Sequence, residues 1–213
     1  VTHWTVSRLK DFEDCPAKYD YAYNKKVPGI EAPAASRGTQ IHGHIEQFLL
    51  GRLDSLPPVI TPVWANQIEA LKLKKASAEQ MWEFSEGWNP RREGEDLWMR
   101  GKIDAFYWPQ LSVVRVIDFK TGKPYRANIE QMEVYALMTF AMFDDVHTVL
   151  AELWYLDHEE PHDKTFTRDR AGKLSKKWEQ RASKLTSATQ FPHKPGNHCK
   201  WCAFRKTCPA AAA

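Results

Sequence analysis

The stretch RVIDFKTGK (Arg115–Lys123) restricts this chain more than any other. With Val113 and Val114 before it, a β-branched run reads as a strand that ends in Asp118-Phe119-Lys120. Side chains alternate along a strand, which places Asp118 and Lys120 on one face and Phe119 on the other. Burying either charge near a sheet interior costs several kcal/mol unless it is paired. The two residues therefore hold each other, or together they hold a third group.

A second strand-like run, DLWMRGKIDAFYW (Asp96–Trp108), precedes it and is joined to it through a turn at Pro109-Gln110-Leu111. As antiparallel neighbours the two strands bring Asp104 to Asp118. Two carboxylates at one spot repel unless a cation lies between them, and hard oxygen ligands suit Mg²⁺ or Mn²⁺. Lys120 beside such a cation can orient a water and offset charge building on a phosphate. In QIHGHIEQ, His42 and Glu46 are four apart on one helix face, so His42 can complete the metal shell. His44 lies on another face and is expected to be exposed.

Other elements follow from spacing. Val6, Leu9 and Phe12 have helical periodicity up to a break at Cys15-Pro16, and a second short helix follows through Tyr19 and Tyr23. VPGIEAPAAS reads as a loop, with Ser36 capping a helix that Gly51 ends. A longer helix is expected from Val63 to about Phe84. The segment NIEQMEVYALMTFAMF is an amphipathic helix, HTVLAELWYLD a third strand, and Leu174–Thr186 a basic helix. The result is a mixed α/β domain. Trp98, Trp108 and Trp154 sit in strand-like runs as core or sheet-face residues.

At 213 residues the chain can build one sizeable core. No apolar run approaches the roughly 20 residues of a membrane span and no signal-peptide pattern opens the sequence, so a cytoplasmic protein without a membrane partner is expected. The formal net charge is only +3, yet from Lys164 onward twelve Lys or Arg face two acids. A basic third beside an acidic body suits a phosphate-binding surface next to a cation site, although a solvated helix face reads the same way. Trp201, flanked by Cys and Lys, is a candidate for stacking on a base. The four cysteines are Cys15 and a C-x₂-C-x₅-C trio, Cys199, Cys202 and Cys208. A cytosolic chain argues against disulfides. Spacing leaves two centres open: zinc on the trio with His198 or His193, or a [4Fe–4S] cluster on all four thiolates.

The motifs SRLKDFEDCP, SRGTQIHGHIE, GKIDAF, VIDFKTGK and QMEVYAL, in this order across nearly the whole chain, resemble the PD-(D/E)XK nucleases. Within them the likeness is to the RecB-type branch, which includes the CRISPR-associated RecB-like exonucleases and the AddB nuclease domain. The resemblance implies a restriction-endonuclease-like mixed sheet flanked by helices, with an iron–sulfur-clamped lobe formed by the two ends of the chain. It implies one domain over residues 1–209, with 1–35 and 190–209 as the cysteine lobe, 36–189 as the nuclease core and 210–213 as a tail. It further implies His42, Asp104, Asp118 and the Phe119 carbonyl as metal ligands and Lys120 as the catalytic lysine. Gln131 and Tyr135 match the Q-x-x-x-Y element beside the site. Two positions depart from the usual motif: Ile103 stands where the motif has proline, and Asp118 where it often has glutamate. The resemblance also favours [4Fe–4S] over zinc, with Lys200, Trp201, Arg205 and Lys206 of the tail on the DNA side.

The expected function is therefore a Mg²⁺- or Mn²⁺-dependent deoxyribonuclease, foremost an exonuclease on single-stranded DNA or DNA ends. One rival is a zinc-stabilised nucleic-acid-binding module without catalysis. Another is a nuclease-fold accessory subunit of a CRISPR spacer-acquisition or recombination complex, with a helicase or integrase as partner.

Overall fold

A computed structural model describes residues 3–30, 33–124 and 126–212 of the chain. Expectations touching residues 1, 2, 31, 32, 125 and 213 lie outside the described residues. Helix α1 (Val6–Asp14) is capped by the Thr5 side chain, which accepts the Arg8 N–H. Pro16 opens the short α2 (Pro16–Tyr19), which widens into a π-type turn over Asp20–Asn24. Helix α3 spans Pro33–Leu49, so Ser36 sits inside its first turn and does not cap it. Pro33 starts the helix earlier because proline's fixed φ suits the first helical position.

The largest correction concerns residues 63–84. Helix α4 covers only Pro62–Leu73, and Ser77–Ser85 is strand β1. Trp64, Ile68 and Leu71 have helical spacing, whereas Trp82 and Phe84 are two apart and share one face only in a strand. Lys75, at φ +54°, makes the reversal between them.

Short β2 (Asn89–Pro90), β3 (Met99–Gln110), β4 (Val113–Lys120), β5 (Thr148–Tyr155) and β6 (Glu160–Thr167) complete a six-stranded sheet in the order β2-β1-β3-β4-β5-β6. Only β4 and β5 are parallel, and helix α5 (Arg126–Met142) makes the crossover between them. Pro109 lies within β3, where pairing with β4 shifts between Tyr107 and Gln110, so the chain reverses at Leu111-Ser112 instead of at the proline. The unexpected β6 is an edge strand that buries only Phe166, and its polar sequence carries no strand signal. Trp108, at the end of the hairpin, is half exposed.

The sheet separates two cores. One face packs Val114, Val116, Leu153 and Phe106 under α5, α1 and α6 (Ala171–Thr186). The other packs Ile117, Phe119, Tyr107 and Trp154 under α3 and α4. Arg181 of α6 ties three helices together: Nε and Nη2 donate to Glu13 at 2.8 and 2.7 Å, and Nη1 donates to Glu130 at 3.0 Å. Arg181→Ala is expected to lower unfolding stability by about 2 kcal/mol in urea titration, since charge-assisted hydrogen bonds in a sheltered pocket are lost. Lys177→Ala, whose ion pair with Glu133 is more exposed on the lysine side, should cost less than about 1 kcal/mol.

Among the described residues, no helix is long and apolar enough to cross a membrane.

Candidate active site

The site forms where the sheet splits. β1 and β3 are paired on both sides of Glu79 and Asp104, from Ser77↔Phe106 to Phe84↔Met99, but the pairing of β3 with β4 ends at Ala105↔Ile117. One residue further on, Asp104 and Asp118 are level in register, and the two strands have parted. Asp104 fills the gap: its Oδ2 accepts the Phe119 N–H at 2.8 Å, so a carboxylate replaces the missing ladder partner. The alternation of β3 breaks at this residue, with Ile103 packed on the α5 side and Ala105 on the α3 side.

From the α3 side comes His42, with Nδ1 at 3.2 Å from Asp104 Oδ2 and its ring edge-on to Phe119. Burial disfavours the charged ring, but Asp104 and Asp118 outweigh it and hold the His42 pKa above the ordinary value. His44 is exposed, and its Nδ1 bonds to the Gln40 carbonyl at 2.8 Å.

From the α5 side come Gln131 and Tyr135. As alternation requires, Asp118 and Lys120 face this helix while Phe119 joins the opposite core. Lys120 Nζ lies 2.6 Å from Asp118 Oδ2 and donates to Gln131 Oε1 at 3.1 Å. Gln131 Nε2 donates to the Tyr135 hydroxyl, which in turn donates to Asp118 Oδ1. Burial pushes the Asp118 carboxyl up, and the neighbouring Asp104 adds to the shift while Lys120 opposes it. Burial also works against the Lys120 ammonium, but Asp118 overcomes it and holds the proton on Nζ. Tyr135 stays a phenol, its pKa driven well up by burial and by the charge of Asp118.

Two residues were not anticipated. Glu79 of β1 is level with Asp104, and an oxygen of each, with a ring nitrogen of His42, lies within 4.8 Å of the others. Its side chain is only 8% exposed and is paired with Lys102. Glu79 has φ +48°, a conformation costly for a non-glycine residue. Lys10 of α1 is the other. Burial and then the nearby Lys120 charge push its pKa down, and it has no ion pair among the described residues. The donor set of carboxylates with one imidazole fits a hard divalent cation, because the three carboxylates Glu79, Asp104 and Asp118 outnumber the two lysines paired with them, Lys102 and Lys120. Asp118 stands apart from the His42–Glu79–Asp104 group and is turned toward Lys120 and Tyr135.

All four cysteines line one small cavity together with His198, Tyr21 and Phe204. The ends of the chain meet around it: Ala17 N–H donates to the Pro192 carbonyl at 3.2 Å, Ile30 N–H to the Ala203 carbonyl at 2.9 Å, and Lys194 N–H to Cys15 Sγ at 3.4 Å. No disulfide is formed, and among the described residues no three thiols lie within 4.8 Å of one another. Lys200, Trp201, Arg205 and Lys206 are exposed on this tail, Trp201 by 78%.

A family model for the PD-(D/E)XK nuclease superfamily matches residues 3–209. Among solved structures, SSO0001 is 18% identical with a TM-score of 0.51, over 99% of this chain and 88% of that one. A protein from Eubacterium rectale designated "Putative exonuclease" is 14% identical with a TM-score of 0.53, over 93% and 87%. At these identities the likeness is one of fold. No curated protein matches the sequence.

Proposed function

The chain belongs to the PD-(D/E)XK nuclease superfamily, and from that premise we propose that it is a Mg²⁺- or Mn²⁺-dependent deoxyribonuclease of the RecB type, an exonuclease on single-stranded DNA or DNA ends. One observation carries the reading: at the fork between β3 and β4, His42, Glu79 and Asp104 gather as one group, and Asp118 stands beside it with Lys120, which Gln131 aligns. A purely structural Asp118–Lys120 pair would need neither the imidazole nor the further carboxylates around it.

His42, Asp104, Asp118 and the Phe119 carbonyl are the assigned ligands, and Glu79 joins them. The cation they hold would lower the pKa of a water and neutralise charge on the scissile phosphate. Lys120 keeps its proton at Nζ and faces the charge that develops on the phosphate oxygens. Gln131 and Tyr135 fix the Lys120 and Asp118 rotamers, so the ammonium is in place before substrate arrives. The experiment is incubation of the protein with end-labelled single-stranded DNA and Mn²⁺ or Mg²⁺. Metal-dependent loss of label supports the proposal, whereas binding without cleavage under both metals overturns it. Glu79→Gln should weaken Mn²⁺ binding about tenfold by calorimetry while the fold is kept.

For the second centre the cavity lined by Cys15, Cys199, Cys202 and Cys208 supports a [4Fe–4S] cluster. The role assigned to the cluster is a clamp between α1 and the tail. The exposed Lys200, Trp201, Arg205 and Lys206 then form part of the DNA surface. A helicase or integrase that delivers the strand end is the partner class of this reading, and co-purification tests it.

A further inference from the structure

We propose that the groove between α1, β1, β3 and α5 binds one unpaired nucleotide of the DNA strand next to the scissile phosphate, with its base against Met81 at the groove's mouth. This rests on the nuclease reading above and adds a substrate site to it. The groove holds about 250 Å³, below the roughly 300–1,000 Å³ of pockets for larger ligands, and suits a single base. Gln131 and Tyr135 line it, and the same side chains hold Lys120 and Asp118, so the groove opens directly onto the catalytic residues.

Met99 and Met138 are buried beneath the groove and back its floor, and Met81, 51% exposed at its mouth, is the methionine whose surface is open to a base. A Cβ at Gly101 would stand 2.4 Å from Met138 Cε and Sδ, so the methionine lies on bare backbone that only glycine provides. Thioethers are polarisable and adapt to any aromatic face, and they offer no strong hydrogen bond to read a base edge. Contact of this kind is tolerant of sequence, as degradation along a strand requires.

The polar edge suits a phosphate. The first turn of α1 contributes Ser7 and the backbone N–H groups of Val6 and Ser7, the Arg8 N–H being taken by the Thr5 side chain. Arg100 Nη2 is paired with Glu83 at 2.6 Å, but its buried Nε has no hydrogen-bond partner among the described residues. Lys102 stands where the groove meets Glu79 and the metal group. A base in a duplex has both faces covered by its neighbours and cannot lay one on Met81, which makes the groove selective for single strands.

The test uses Lys120→Ala protein with Mn²⁺, so that DNA is bound but not consumed, and measures the anisotropy of short labelled single strands lacking one base at successive positions. The expected profile is flat except at one position, where loss of the base weakens binding about tenfold. Adding Met81→Glu should weaken binding of the intact strand about tenfold and flatten the profile. Leu73→Glu, an exposed site outside this groove, should leave both unchanged. A profile without a minimum, a minimum that survives Met81→Glu, or an equal loss with Leu73→Glu overturns the proposal. If the unsubstituted protein still cleaves DNA in that case, the nuclease reading stands and only the groove assignment falls. If it neither binds nor cleaves DNA, both fall.

Discussion

Lys120→Met protein is expected to hydrolyse single-stranded DNA about 10²–10³ times more slowly than the unsubstituted chain, yet to unfold within about 1 kcal/mol of it. The two measurements together separate catalysis from structure. Removing one partner of a buried ion pair whose remaining group stays charged costs about 3–5 kcal/mol. Here the remaining group has a way out. Burial already raises the Asp118 carboxyl, and Tyr135 still donates to it, so Asp118 can take up a proton once the ammonium is gone. The sign of the pH dependence follows. Between the ordinary carboxylate pKa and the raised folded value, only the folded state retains that proton, so metal-free Lys120→Met protein loses stability as pH rises through this window. A large stability loss with retained hydrolysis would remove Lys120 from the mechanism.

Cys202→Ser is expected to have the largest effect on stability, lowering the melting temperature by about 10 °C and abolishing visible absorption in anaerobically prepared protein. The tail has little else to hold it. Its ordered pieces are short turns over Asn197–Trp201 and Pro209–Ala212, and Phe204 is the one large apolar side chain from 190–209 that is fully buried among the described residues. A clamp joining Cys15 at the end of α1 to the C-terminal trio closes a loop of most of the chain, which strongly restricts the unfolded state. Four irons per chain are expected by metal analysis. A colourless protein with one zinc would overturn the cluster assignment.

Both predictions begin from residues that stand out in the sequence for the same reason. Charges and thiols are costly in unusual places, so Asp118-x-Lys120 at the end of a β-branched run and the C-x₂-C-x₅-C trio announce themselves without coordinates. Helix α5 was equally legible, because Gln131 and Tyr135 are four apart and necessarily share a face. Residues 63–84 were not. An apolar pattern that changes period partway reads as one helix unless the break is seen, and the Lys74-Lys75 reversal has no glycine or proline to mark it. Strand β6 was missed because an edge strand that buries one side chain needs no hydrophobic alternation.

By itself the sequence determined which side chains could carry the chemistry and which of them share a face, since the periods of strand and helix are local geometry. Only the tertiary structure decided that β4 leaves β3 after Ile117, that Asp104 caps the opened strand at Phe119, and that Glu79 meets His42 and Asp104. Those outcomes depend on how three strands separated in sequence twist and part. No local pattern encodes that separation, and the strained backbone of Glu79 is held only by the sheet around it.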